Sequence, residues 1–236
     1  MNDARLALDI ETACPDGPPS DFRNTDEFEL VAVGLGASQN DETEVTVALR
    51  EGDWSVEHTA ALLRDVVEWC ETSGGTVLTY NGRNFDEHHL RVWADQVADA
   101  GLWTDAPERI ESLFSNHVDL APLAAEAFPH AVRQNREIPA LWKACEEADV
   151  DQPSVWYDDY GLSRAYLDGL GIDDPHVTGM HVGEGLGAAY VEGVAAGLDE
   201  TRTHAELERL LVDYAAGDIE PLFSLHDSLR RVLAEA

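Results

Sequence analysis

The stretch Arg5-Leu6-Ala7-Leu8-Asp9-Ile10-Glu11-Thr12 constrains the fold more than any other. Its apolar run reads as a strand buried in a sheet, and Asp9 and Glu11 close that run. Residues i and i+2 of a strand point to one face, so the two carboxylates project together. Held side by side they repel, and each raises the other's pKa unless a cation lies between them. Oxygen ligands at that spacing suit a hard cation such as magnesium or manganese. A strand end meeting solvent with two charges has the same pattern, so the remaining chain must decide.

From Cys14 to Asp26, Pro15, Gly17, Pro18 and Pro19 predict a loop. Glu29–Gly36 and Thr43–Leu49 read as strands joined by a short polar connection from Ala37 to Glu42, which makes the first three strands an antiparallel meander. Ser55 is a candidate N-cap for a helix to Glu71, with Val56, Ala60, Leu63, Val67 and Cys70 at helical spacing. Thr76–Tyr80 then reads as a short strand, Glu87–Ala100 as a helix and Asn116–Leu120 as a last strand. That order implies an α/β sheet with crossover connections, in one domain over residues 1–236. Further helices are expected at Gly161–Gly171, Glu184–Ala196, His204–Gly217 and Pro221–Ala234. Ile172–Gly183 is expected as a loop, and the pattern from Pro129 to Pro153 assigns no element.

Composition narrows the class. With 236 residues and 44% apolar content the chain can bury a sizeable core. Cys14, Cys70 and Cys145 have no paired spacing, so they frame neither disulfides nor a four-cysteine metal site, and a cytoplasmic setting follows by default. No apolar run is long enough to span a bilayer and no signal peptide is evident, so no membrane role is expected. The 47 acidic residues against 15 basic ones give a net charge of −32, and Lys143 is the sole lysine. Such spread acidity resembles proteins of salt-accumulating halophiles, whose self-repulsion is screened at about 1 M salt, where the Debye length is about 3 Å. Net charge therefore does not exclude a nucleic-acid substrate.

Asp-x-Glu occurs at Asp9/Glu11 and again at Asp218/Glu220, but the first pair alone closes an apolar strand. In Asn81-Gly82-Arg83-Asn84-Phe85-Asp86 a strand ends, Gly82 permits a tight turn, Phe85 anchors it, and Asp86 stands near a helix start, where a carboxylate is favoured. Tyr214 and Asp218, four apart on a helix, share a face. Between them Gly217 costs about 1 kcal/mol relative to Ala, which close approach to a strand or substrate would explain. Pro221 is expected to bend or restart the helix.

Asp9-Ile10-Glu11, Asn81-x-x-x-Phe85-Asp86 and Tyr214-x-x-x-Asp218 resemble the three ordered exonuclease motifs of the DEDD superfamily in its tyrosine (DEDDy) form. That group includes the proofreading domains of family B DNA polymerases and stand-alone nucleases. The resemblance implies an RNase H-like mixed five-stranded sheet flanked by helices. It also implies 3′→5′ hydrolysis of terminal phosphodiesters of DNA or RNA to nucleoside 5′-monophosphates. Asp9, Glu11, Asp86 and Asp218 would hold two divalent ions, Mg2+ or Mn2+, and Tyr214 would orient the attacking water. Single-stranded 3′ ends and replication or repair proteins are the implied partners.

Asn81, Arg83 and Phe85 fall on the substrate side of the second motif, with Arg83 a candidate phosphate clamp. Arg133, Arg136 and Lys143, with His130, make a locally basic stretch that reads as a backbone-binding edge or a solvated helix face. Trp142, Trp156, Tyr157 and Tyr160 are candidates for base stacking or for core packing. His88/His89 and His176/His181 lack the spacing of a zinc site. A non-cleaving nucleic-acid-binding or partner-binding module and a structure-specific endonuclease are the alternative functions.

Overall fold

The apolar stretch that opens the chain forms β1 (Arg5–Ala13), the central strand of a five-stranded mixed sheet of order β3-β2-β1-β4-β5. The computed structural model describes residues 4–40 and 42–235, so Asp41 of the expected hairpin connection lies outside the described residues. β2 (Glu29–Gln39) and β3 (Glu42–Leu49) continue from β1 as an antiparallel meander. On the other side β4 (Thr76–Thr79) pairs parallel with β1, and β5 (His117–Asp119) parallel with β4. Parallel neighbours require crossovers. Helix α1 (Val56–Ser73) carries the chain to β4, and α2 (Asp86–Asp99) with α3 (Ala106–Leu113) carries it to β5. This is a mixed five-stranded α/β sheet flanked by helices, the architecture that the motif resemblance implies.

Period-two alternation divides the contacts of β1. Leu6, Leu8 and Ile10 pack with α1 and α2 residues such as Leu63, Val67 and Trp93, whereas Ala7 packs with Leu78, Ile219 and Phe223 on the opposite face. Asp9 and Glu11 follow Ala7 on that second face. The long C-terminal helix α9 (Arg202–Glu235) covers it.

Several elements differ from expectation. Helix α3 carries two buried residues, Ala106 and Ile110, too few for its period to show in the sequence. The unassigned region contains α5 (Leu141–Ala148), and α4 (Leu120–Ala127) occupies the stretch before it, for which no element was expected. Helix α6 (Arg164–Gly169) starts later than Gly161 because the Ser163 side chain caps it, accepting from the Tyr166 N–H. The loop predicted to run to Gly183 ends at Thr178, which caps α7 (Gly179–His181). A π-helical turn (Val182–Leu186) then leads into α8 (Gly187–Ala195). The two terminal helices are one, with Pro221 inside. Proline removes a single N–H donor from the carbonyl of Gly217, and buried Ile219, Leu222, Phe223, Leu225 and Leu229 hold the helix on both sides. No helix among the described residues is long and apolar enough to cross a membrane.

α9 approaches the sheet at backbone distance. A Cβ on Gly34 of β2 would lie 2.8 Å from Ile219 Cγ1 and 2.9 Å from the Ala215 carbonyl oxygen; one on Gly36 would lie 2.7 Å from Ile219 Cγ2. Gly34 pairs with Asp9 and Gly36 with Ala7 across the β1–β2 ladder. Gly217, the residue expected to license the approach, is not the one that does. Its Cβ would meet Pro153 at 3.6 Å, an ordinary contact. Gly34→Ala is therefore expected to destabilise by about 1–3 kcal/mol through overpacking. Gly217→Ala should be neutral or stabilise by up to about 1 kcal/mol. Urea melts of the two variants in about 2 M KCl check this; equal effects would contradict it.

Candidate functional site

Asp9 and Glu11 lie at the C-terminal end of β1, and Asp218 reaches them from α9. One carboxylate oxygen from each lies within 4.8 Å of the others. Among the described residues this is the one group of three or more His, Cys, Asp or Glu gathered so closely. Glu11 is buried, whereas Asp9 and Asp218 keep part of their surface open. Burial pushes the Asp9 and Glu11 carboxyls well above the ordinary carboxylate range, and the neighbouring acids push the same way: Asp86, Glu11 and Asp218 on Asp9, and Asp218 and Asp86 on Glu11. Nothing among the described residues supplies a compensating cation to this trio. Gathered oxygen-donor side chains whose charge is disfavoured in this way are what a hard divalent cation requires.

Asp86 is not one of the three gathered acids, but backbone geometry fixes it beside them. The β1–β4 ladder ends at Ala7↔Leu78, which leaves the Ile10 N–H free of β4, and that N–H donates to Asp86 Oδ1 at 2.9 Å. Asp86 is the first residue of α2 and Phe85 occupies the N-cap position, so the carboxylate reaches back to β1 and does not cap its helix. Burial raises it to about 7 against the opposing pull of the Ile10 N–H. The turn before it is held by Asp119, whose carboxylate accepts from the N–H groups of Asn81 (2.8 Å) and Arg83 (3.2 Å) and caps α4 through Ala121. Asn81 adopts φ 65°, which asparagine tolerates. Motif spacing did not single out Asp119 for this part, although its place at the end of β5 was expected.

On α9, Tyr214 stands one turn before Asp218 on the same face. Burial and the charges of Glu11, Asp218 and Asp9 hold its hydroxyl firmly protonated. Opposite it, Gly179 leaves room: a Cβ there would lie 3.4 Å from the Tyr214 hydroxyl. Burial raises Asp218 to about 6, against a hydrogen bond of 2.8 Å donated by Gln152 Nε2 to its Oδ1. Gln152 was not foreseen, because it arrives from the stretch after α5 that carried no pattern. Glu220, the competing acid, is exposed and lines a separate hollow with Asp149 and Asp151. Two residues along a helix is too far around the axis to share a face.

Two clefts meet at the carboxylates, both lined by Asp9, Tyr214, Asp218 and Gly179. The larger, about 800 Å³, runs between α5 and the segments around Gln152–Val155 and His176–Thr178. The smaller, about 450 Å³, is bounded by Phe22, Phe28, Phe85 and Met180. Phe85 therefore faces a cleft, in edge contact with Phe28. Arg83 is exposed on the turn, and Asn81 Oδ1 accepts from Asn84. The expected basic edge is reduced: Lys143 pairs with Glu146 (2.6 Å) and Glu147 (2.8 Å), and His130 with Glu147 (2.8 Å). Arg133 lies over the Trp142 ring and Arg136 is exposed. Tyr157 and Tyr160 are buried, bonded to His181 and Asp213; Trp142 and Trp156 are exposed. His88 and His89 tether the loop after β1: His88 Nε2 meets the Arg23 carbonyl, while buried His89 meets Thr25 Oγ1 and the Phe22 carbonyl.

No protein-family model matches the chain, and no curated protein matches it. Among solved structures, an exonuclease I in complex with the SSB C-terminus aligns over 89% of this chain and 44% of its own, at 15% identity and TM-score 0.35. The family B DNA polymerase from the hyperthermophilic archaeon Pyrobaculum calidifontis aligns over 97% and 27%, at 18% identity and TM-score 0.43. A moderately thermophilic exonuclease I from Methylocaldum szegediense aligns over 74% and 37%, at 16% and 0.37. The chain spans less than half the length of each of these. Superpositions this loose leave the site to be judged on its own geometry.

The carboxylates make the stability of the metal-free protein fall with pH. Their folded pKa values lie above the unfolded value near 4, so the folded state binds more protons, and that stability is lost as pH rises through about 6 and 7 and beyond. Buried His89, lowered to about 4, and the lowered His117 and His226 act oppositely, but mainly below their ordinary value of about 6.5. Melting temperatures in EDTA should therefore fall between about pH 6.5 and 8.5. Magnesium should raise them at the upper end, and Asp9→Asn should do so without metal. A flat profile in EDTA would contradict the cluster.

Proposed function

We propose that the chain is a metal-dependent 3′→5′ exonuclease of the tyrosine DEDD type. It would act as one domain over residues 1–236, removing nucleoside 5′-monophosphates from DNA or RNA. One observation carries this reading: the Asp9, Glu11 and Asp218 oxygens lie within 4.8 Å, with Asp86 pinned beside them through Ile10 and the Tyr214 hydroxyl facing the same space. The donor set, all oxygen and mutually repelling, fits magnesium or manganese. Divalent ions bound there would neutralise the acids, the terminal phosphate and the leaving oxygen, and lower the pKa of a water.

The chain's own groups supply the rest. Asp9, Glu11, Asp86 and Asp218 are arranged before substrate arrives, so little reorganisation accompanies the reaction. The Tyr214 hydroxyl, held protonated, donates to the attacking water and aims it at the phosphorus. Gln152 holds the Asp218 carboxylate in place through its Oδ1. Phe85 and the smaller cleft provide an apolar seat next to the acids for a terminal base. The acidic, lysine-poor composition fits work in concentrated salt, and the fold is expected to lose cooperativity in dilute buffer and regain it at molar KCl, followed by circular dichroism.

Oligonucleotides labelled at either end, incubated with manganese in molar KCl, test the activity. Stepwise shortening from the 3′ end is expected. Internal cuts would replace the reading with an endonuclease, and binding without degradation with a non-cleaving module. Asp9→Ala and Asp218→Ala should each lower kcat/KM by about 10⁴-fold with the fold intact. Tyr214→Phe should lower it by about 10²-fold, the scale of one lost donor. Glu220→Ala should stay within about threefold; if it is dead while Asp218→Ala is active, the assignment on α9 is wrong.

A further inference from the structure

Among the described residues that line the two clefts there is no Lys or Arg. A groove that grips phosphates directly is lined with such cations. The larger cleft is walled instead by Leu141, Trp142 and Cys145 of α5 on one side and by Val155, His176 and Val177 on the other. Trp142 is 51% exposed; Trp156, whose ring lies 5.8 Å from that of His176, is 47% exposed. Indole surface left in water forgoes about 25 cal/mol for every Å² that a partner would cover. The charges beside Trp142 are largely committed: Lys143 to Glu146 and Glu147, His130 to Glu147, with Arg133 over the indole face at 5.6 Å.

We propose that the α5 cleft holds the unpaired strand leading to the reacting end through its bases, stacked on Trp142 and on His176, whose ring is flanked by that of Trp156, and not through basic contacts to its phosphates. The proposal rests on the nuclease reading and adds how that site would choose its substrate. A base in a duplex has both faces covered by its neighbours, so a stacking cleft selects single strands. Stacking on an aromatic side chain contributes about 1–3 kcal/mol per base and tolerates any sequence. It also survives salt, whereas each neutralised phosphate of a single strand steepens the dependence of log K on log salt by about 0.7. A chain of net charge −32 gains from a mode that needs no basic groove.

The test is fluorescence anisotropy of the wild-type chain with 5′-labelled oligothymidine and with an abasic strand of equal length, in EDTA, across about 0.5–3 M KCl. The expected slope is shallower than about −1, equivalent to one phosphate contact or none. The abasic strand should bind at least about tenfold more weakly. Trp142→Ala should weaken oligothymidine binding by about 10- to 100-fold and Trp142→Phe by no more than about threefold, both with unchanged melts. A slope steeper than about −2, equal affinity for the abasic strand, or a Trp142→Ala effect within about twofold overturns the proposal. So does a wild-type protein that degrades strands with manganese yet binds none in EDTA. In each of those cases degradation from the 3′ end leaves the nuclease reading standing. A protein that neither binds nor degrades any strand brings down both.

Discussion

Backbone contact between α9 and β2 is the constraint on which the rest depends. Gly34 and Gly36 present no side chains to the helix, so Ala215, Ile219 and Phe223 settle directly onto the strand. Gly34 is the ladder partner of Asp9. The position that lets the helix down onto the sheet is therefore the neighbour of the acid the helix must meet. With any larger residue there α9 would ride higher, and Asp218 would stand away from Asp9 and Glu11. Packing of an apolar seam thus sets the distances in a polar site.

The site that results is electrostatically uncomfortable by itself. Burial penalises the charges of Asp9, Glu11, Asp86 and Asp218, and for the first three the neighbouring acids penalise them again. Such an arrangement persists because the surrounding structure over-determines it. Ile10 holds Asp86, Gln152 holds Asp218, and the β1 strand fixes Asp9 and Glu11. This is the pattern of a site whose strain a bound cation relieves. It differs from the acidity of the surface, where dispersed carboxylates meet water and salt.

The region from Pro129 to Thr178 does more than connect β5 to α9. Its α5 wall and the strand-like stretch around Val155 bound the larger cleft, and Gln152 comes from the chain between them. On the opposite flank the loop after β1 is tethered by His88, His89 and Glu27, the last accepting from Ser20 and Asn24. The carboxylates thus lie at the floor between these two walls, at the C-terminal end of the sheet's central strand. Loops that vary without disturbing β1, β4 and α9 are free to set what the floor acts upon.

What the sequence determined by itself was local and periodic. The alternation around Asp9 and Glu11, the meander after it, and the order of strands and helices lead to the sheet, because strand periodicity and crossover rules act over short distances. Motif spacing picks out Asp9, Glu11, Asp86, Tyr214 and Asp218, because each sits at an element end or on one helix face. The short helix α3 buries only Ala106 and Ile110, too few to show a period, and Pro221 suggested a break that long-range packing overrode. Tertiary structure alone decided that Asp218 and not Glu220 meets the strand, that Asp119 holds the Asn81 turn, and that Gln152 reaches Asp218. It also decided that the close approach is owed to Gly34 and Gly36 rather than Gly217. In each case the partners are far apart in the chain, and no local pattern encodes which groups a fold will bring within hydrogen-bonding distance.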